Sequence, residues 1–288
     1  MEATSAFIRE GIVLVQPTLV MVGPRKIELL RAALEEQAGA VSFADVEQVG
    51  ANPARIIPAW REFADAHPGR RLRGIGEPVW AGRSPAELVE CQRHEALLNL
   101  AFAEAGGFVL LCPYDTSALP EDVIAEARRS HPCLVQSGRE ERSPDYPGAD
   151  ELAAPFDVPL PAPVSAPAEL RFGRSDLPLV RDFVAAHATW LDGAAESLVI
   201  AANEAASNTI RHGGGEGVVR MWDEDGSLVC EVSDSGRIEQ PLVGREKPQP
   251  LQIGGHGVWL MNHLCDLVQI RAYADGGTVR LHVRPEAD

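Results

Sequence analysis

No apolar run in this chain is long enough to span a bilayer. The richest early stretch, residues 12–22, is broken by Gln16, Pro17 and Thr18, so it is neither a transmembrane helix nor a signal peptide. A cytoplasmic location is expected. Cysteine is scarce: five residues, an odd number with no C-x-x-C pair, suit a reducing compartment and not a disulfide framework. An excess of basic residues is missing from both halves of the chain, and the formal net charge is −16. Such a surface repels phosphate backbones, which argues against direct nucleic-acid binding. Also missing are internal repeats, a G-x-x-x-x-G-K-[ST] loop and a G-x-G-x-x-G turn after a strand.

What is present fits two domains and a connector. At 288 residues the chain can bury more than one core. Short apolar runs alternate with helical stretches over residues 1–142. Strands are predicted at 19–22, 41–43, 72–75 and 108–111, helices at 25–37, 53–67, 84–105 and 120–130. Alternation of this kind implies crossovers and a mainly parallel sheet, hence an α/β domain, RecA-like but without a P-loop. Ser84, Pro85 and Glu87 make a strong helix start. Residues 143–167 carry Pro144, Pro147, Pro155, Pro159, Pro161, Pro163 and Pro167, which predicts an extended, stiff linker.

Polar residues concentrate in three places of the first domain: Glu77 and Trp80 in GEPVWAGR, Glu90, His94 and Glu95 in ECQRHEALLN, and Cys112, Tyr114 and Asp115 in CPYD. Two of these are loops after candidate strands, at the ends where open α/β sheets place ligands. Glu77, Trp80, His94, Cys112, Tyr114 and Asp115 are therefore candidates to contact a small-molecule signal; satisfying buried loops and caps is the competing role. Cys91 and His94 lie three apart on one helix face, and Cys112, His131 and Cys133 could approach them. Their spacing is not that of a paired zinc knuckle.

Residues 168–288 predict an α+β two-layer sandwich. Its strands are expected at 169–172, 218–222, 228–232, 267–272 and 278–283. Its helices are expected at 176–190, 196–212 and 257–265, with Asp176 and Asp192 as N-caps. In ESLVIAANEAASNTIRHGG, Glu204 and Asn208 stand four apart on one helix face. A carboxylate and an amide so placed can serve a hydroxyl to be deprotonated and a divalent cation. Asp234-x-Gly236 ends a strand. An aspartate there can accept from the amine of adenine, and the glycine lets a base come close. Gly254, Gly255, His256 and Gly257 lead into a helix, where bare amides and the helix dipole suit phosphates. An asparagine oxygen is a hard ligand suited to Mg²⁺.

These three segments, in this order, resemble the GHKL (Bergerat) ATPase fold. Within it they are similar to the anti-sigma factor branch of serine/threonine kinases. The resemblance implies Glu204 as general base and Asn208 as magnesium ligand. It implies Asp234 as the adenine-binding residue, with Gly236, Gly255, His256 and Gly257 around an ATP, under a lid over 237–253. Arg181 matches a partner-binding arginine; an exposed arginine without a partner is the plainer reading. The first domain is similar to the MEDS sensory domain through GEPVWAGRSPAELVECQRHEALLN and LCPYD. The whole is thus identified as a regulator of the anti-sigma type. It is expected to bind Mg-ATP, a sigma factor and an anti-anti-sigma (STAS) protein, with a homodimer left open.

Two positions depart from that pattern. Ile238 stands where a second glycine of D-x-G-x-G is usual, and His256 where a basic or polar residue is common. Arg237, Arg245 and Lys247 on the lid either supply positive charge or are simply solvated. Two other classes stay open: a histidine autokinase using His94, and a partner-switching module with a degenerate ATP site.

Overall fold

Four short apolar runs of the first half become strands β1 (Thr18–Val22), β2 (Ser42–Asp45), β3 (Leu72–Gly76) and β4 (Phe108–Leu111). They form one sheet in the order β2-β1-β3-β4, with every pairing parallel. The central pair, β1 and β3, is buried along its whole length, as expected where helices cover both faces of a parallel sheet. The computed structural model describes residues 2–136, 138–148, 159–237, 240–248 and 255–285, and the chain divides into two units, Met1–Ala154 and Pro155–Asp288.

In the first unit the strands alternate with α1 (Glu2–Val13), α2 (Pro24–Leu34), α3 (Val46–Val49), α4 (Ile56–Asp65), α5 (Pro85–Ala101) and α6 (Glu121–Ser130). Ile8, Val20, Val22, Leu30, Leu34 and Ile75 make the core between sheet and helices. Each such side chain contributes about 1.5–3 kcal/mol by leaving water. Helix α5 begins with a complete capping box: Ser84 Oγ accepts from Glu87 N, and the Glu87 carboxylate accepts from Ser84 N. After α6, β5 (Cys133–Gln136) and β6 (Arg139–Arg142) pair as a separate antiparallel ribbon.

The second unit is an antiparallel sheet of β7 (Ala168–Gly173), β8 (Glu216–Glu224), β9 (Ser227–Asp234), β10 (Leu267–Tyr273) and β11 (Gly276–Val283), in the order β10-β11-β9-β8-β7. Helices α7 (Leu177–His187), α8 (Ala194–His212) and α9 (His256–Leu264) pack with one face of it around a single apolar core. Helix α8 meets this core through Leu198, Ala201, Ala202, Ala205 and Ala206. Four alanines in that stripe let its backbone approach the sheet closely. The turn joining β8 to β9 places Asp225 and Gly226 both at positive φ, 49° and 74°, the conformation that two-residue hairpins favour.

Asp192 is not the N-cap of α8. Gly193 occupies that place with no side-chain cap, and Asp192 sits before it at φ 48°. Asp176 is at the N-cap of α7, but its carboxylate accepts from Gly173 N instead of capping the helix. At the other end of α8, Gly213 is the C-cap, and Gly214 and Gly215 follow at φ near 90°. Only glycine takes two such residues in a row without strain.

The open face of this sheet is also covered. Pro159, Leu160, Pro161, Ala162 and Pro163 line a cavity with Arg220, Glu231, Tyr273 and Arg280. Tyr273 Oη accepts from Leu160 N at 3.2 Å, and Arg280 Nη2 donates to Pro161 O at 2.9 Å. The same guanidinium pairs with the Glu231 carboxylate at 2.7 Å, both groups being buried.

Candidate functional site

Helix α8 carries the site. Glu204 and Asn208, one turn apart, both reach the start of α9. A methyl group on Gly257 would lie 2.8 Å from Glu204 Oε2 and 3.5 Å from Asn208 Nδ2. The glycine is thus what leaves room for the carboxylate and the amide. Gly255 enters α9 at φ 84°, a left-handed turn that leaves the first amides of the helix facing outward. His256 follows, exposed, as the first helical residue.

One residue past Asn208, Thr209 turns to the other end of the site. Its hydroxyl donates to Asp234 Oδ2 at 2.6 Å, and Gly236 N donates to Asp234 Oδ1 at 2.7 Å. Each carboxylate oxygen keeps lone pairs for a further donor. Glycines surround this carboxylate: a methyl on Gly213 would lie 2.3 Å from it, and one on Gly236 3.0 Å from Oδ1. Glu204 and Thr209 are five residues apart, about 7.5 Å along a helix. A single element therefore positions both the carboxylate–amide pair and the lone aspartate.

Arg245, grouped above with solvated lid residues, is buried, in a turn held by Asn262 Nδ2 donating to Gly244 O. Arg237 and Lys247 are exposed, and Arg237 Nη2 donates to Ala274 O. Ile238, Gly254 and the lid residues 239 and 249–253 lie outside the described residues. Arg181 is exposed on α7, and its Nη1 donates to Oδ1 of Asn203, the residue before Glu204.

In the first unit, the six sensory candidates do not form one cluster. Glu77 is buried and ion-paired with Lys26. Burial outweighs the lysine and raises its pKa. Asp115 is exposed and accepts from the Ser117 amide and hydroxyl, which hold its carboxyl below the usual range. Trp80 lies 3.7 Å from the Arg83 guanidinium, which donates to carbonyls of Gly50, Ala51 and Pro78. That arginine organises the GEPVWAGR loop.

Cys112 and Tyr114 belong elsewhere, with Glu95 and His131. His131 Nε2 is 3.1 Å from Glu95 Oε2, and the Tyr114 ring meets the imidazole edge-on at 5.7 Å. Burial pushes the Cys112 and Tyr114 pKa values well up, and the Glu95 charge adds to the effect. Burial works to raise Glu95, but His131 outweighs it and holds the carboxyl low. Burial likewise works to lower His131, and Glu95 reverses that. His94 is 1% exposed. A phosphoacceptor histidine must be presented to a kinase domain, so the autokinase reading loses its residue. Of the five-residue metal set, Cys112 and His131 come together, joined by Glu95, whereas Cys91 Sγ donates to Pro78 O and Cys133 is exposed.

Two family models cover the chain in succession. The MEDS model (MEthanogen/methylotroph, DcmR Sensory domain) matches residues 1–132, and the model for the histidine kinase-like ATPase domain matches residues 174–283. The chain joins a MEDS domain to a histidine kinase-like ATPase domain. Comparison with curated proteins gave no match. No helix among the described residues is long and apolar enough to cross a membrane.

An ATPase domain of this kind implies ATP, usually with Mg²⁺, and the residues present fit both. Glycines at 213, 236 and 257 leave space beside Asp234, Glu204 and Asn208 that a methyl group would fill. The donor set is likewise suitable: a carboxylate with spare lone pairs for an adenine amine, and a hard amide oxygen for Mg²⁺. Thr209 escaped the sequence reading, because its bond to Asp234 spans 25 residues. Glu95 was named there as a polar residue and His131 as a possible neighbour of Cys91 and His94, but nothing in their spacing announced a pair.

Proposed function

We infer that the chain is an anti-sigma regulatory factor. It binds Mg-ATP and phosphorylates an anti-anti-sigma (STAS) protein on serine or threonine. It thereby controls how much sigma factor is free, in response to a signal at the MEDS domain. One observation carries the reading: a single helix brings Glu204 and Asn208 to the start of α9 and, through Thr209, fixes Asp234. The likeness of residues 169–285 to the anti-sigma branch of this fold supports the same choice.

In this reading Asp234 takes the adenine amine, Asn208 the magnesium ion, and the backbone around Gly255, His256 and Gly257 the phosphates. Bound Mg-ATP supplies the phosphoryl group and neutralises its charge. Glu204 accepts the proton of the incoming hydroxyl, and because phosphoryl transfer is mostly positioning, little more is required of the chain. Arg181, exposed beside Asn203, contacts a protein partner. A signal on the MEDS domain acts by stabilising one partner-bound state over the other.

The test is incubation of the chain with Mg-ATP and a candidate STAS protein. Glu204→Ala should abolish transferred phosphate while leaving ATP affinity within about twofold. Asp234→Asn should weaken ATP binding by roughly tenfold or more, the scale of a hydrogen bond to a charged group. Unchanged phosphotransfer by Glu204→Ala would sink the kinase. Absence of ATP binding by the unmodified chain would leave a partner-switching module without catalysis.

A further inference from the structure

In the MEDS domain, one ligand atom each from Glu95, Cys112 and His131 lies within 4.8 Å of the others. Glu95 comes from α5, Cys112 directly follows β4, and His131 directly follows α6, so three parts of the domain converge. The protonation pattern of the histidine is set from behind. His131 Nδ1 is 2.7 Å from Ala127 O, and a carbonyl only accepts, so Nδ1 carries a hydrogen. Nε2 is then the atom directed at the Glu95 carboxylate 3.1 Å away, with a lone pair in the neutral ring and an N–H in the imidazolium. Two lone pairs face each other unless a proton or a cation stands between them. Moreover, the Cys112 thiol hydrogen-bonds the same carboxylate, whose Oε1 is otherwise buried without a partner.

We propose that Glu95, Cys112 and His131 bind a divalent transition metal of the zinc class, with three protein ligands and an exchangeable fourth position. An imidazole Nε2 whose Nδ1–H is tied to a backbone carbonyl is the usual orientation of a metal-binding histidine. Nitrogen, sulfur and carboxylate oxygen together suit zinc and cobalt(II) better than magnesium or calcium. Ligands 2.0–2.3 Å from a tetrahedral ion stand roughly 3.5 Å apart, so no pair of the trio needs to close by more than ~1.3 Å. Cys112 and His131 are only partly buried, which gives the ion a way in and a fourth ligand a way to reach it. Binding releases the Cys112 proton to solvent as the thiolate forms, and no redox change is involved. This site is independent of the ATP reading.

The experiment is a cobalt(II) titration of the full chain after metal removal. One equivalent should bind, with a sulfur-to-cobalt charge-transfer band in the near ultraviolet that zinc then abolishes. Cys112→Ser should lose that band, His131→Ala should weaken binding by at least roughly tenfold, and Cys133→Ser should behave as the unmodified chain. Absence of the band in the unmodified chain would overturn the proposal and leave Glu95 and His131 as a plain ion pair. Retention of the band in Cys112→Ser, or its loss in Cys133→Ser, would overturn it as well. Should Cys112→Ser fail to fold, the unmodified chain, His131→Ala and Cys133→Ser still decide the matter.

Discussion

Two glycines of the ATPase domain show how differently the same small change can act. At Gly257 an added methyl meets the tip of the flexible Glu204 side chain at 2.8 Å. The carboxylate can swing aside, and alanine is the better helix former by about 0.5–1 kcal/mol. Gly257→Ala should therefore fold at least as stably as the parent, and on the proposed kinase reading phosphotransfer falls by roughly tenfold, because Glu204 and Asn208 lose their place. At Gly276 the methyl would lie 2.0 Å from the backbone oxygen of Asp234, which has no room to move. Gly276→Ala should cost about 1–3 kcal/mol, visible in thermal unfolding. Glu77 gives a pH signature at the same scale. Burial holds its folded-state pKa above the ordinary 4.5, so the folded chain binds that proton more tightly than the unfolded chain does. Its contribution is fully present below the unfolded pKa and declines as pH rises through the folded value. Gln at this position cannot ionise. Thermal unfolding of Glu77→Gln and the parent, compared between about pH 4 and pH 7, should shift in favour of Gln as pH rises.

Among the elements, those whose residues repeat at a helical or strand period were legible in the sequence, and so was the capping box that starts α5. Ser84 sits at the N-cap with both of its bonds made, so Ser84→Ala should destabilise the MEDS domain by about 1 kcal/mol. That loss is readable as a drop of a few degrees in its unfolding transition. Other elements gave no signal. The ribbon of β5 and β6 is almost wholly exposed; β5 offers only the short apolar run Cys133–Leu134–Val135 and β6 is charged throughout, so no alternation of apolar and polar residues could reveal it. Helix α1 was missed although Ile8 is fully buried. The Asp192 cap failed because capping chemistry depends on backbone angle, and at φ 48° that residue cannot play the part. Within the site, the glycines and the E-x-x-x-N pair were readable because their chemistry is local. Thr209 with Asp234, and Glu95 with His131, were not, since only tertiary folding brings each pair together.

The whole molecule adds a constraint that neither a motif nor a family boundary conveys. The match to the ATPase domain begins at residue 174, and the prolines before it suggest a mere connector. Residues 159–163 nevertheless lie along the open face of that domain's sheet. There the Arg280–Glu231 pair is buried, and a buried ion pair is stable only when its remaining donors are met. Arg280 Nη2 finds such a partner in Pro161 O, and beside it Leu160 N donates to Tyr273 Oη. A segment rich in proline loses little chain entropy on being held, so it suits this role. Cutting it away would let water reach Arg280 and remove two hydrogen bonds worth about 1 kcal/mol each. A fragment beginning at residue 168 should therefore melt several degrees below one beginning at residue 159, the shift expected for ~2 kcal/mol in a domain of this size. Equal melting temperatures for the two fragments would mean that residues 159–163 contribute nothing to the sheet they cover.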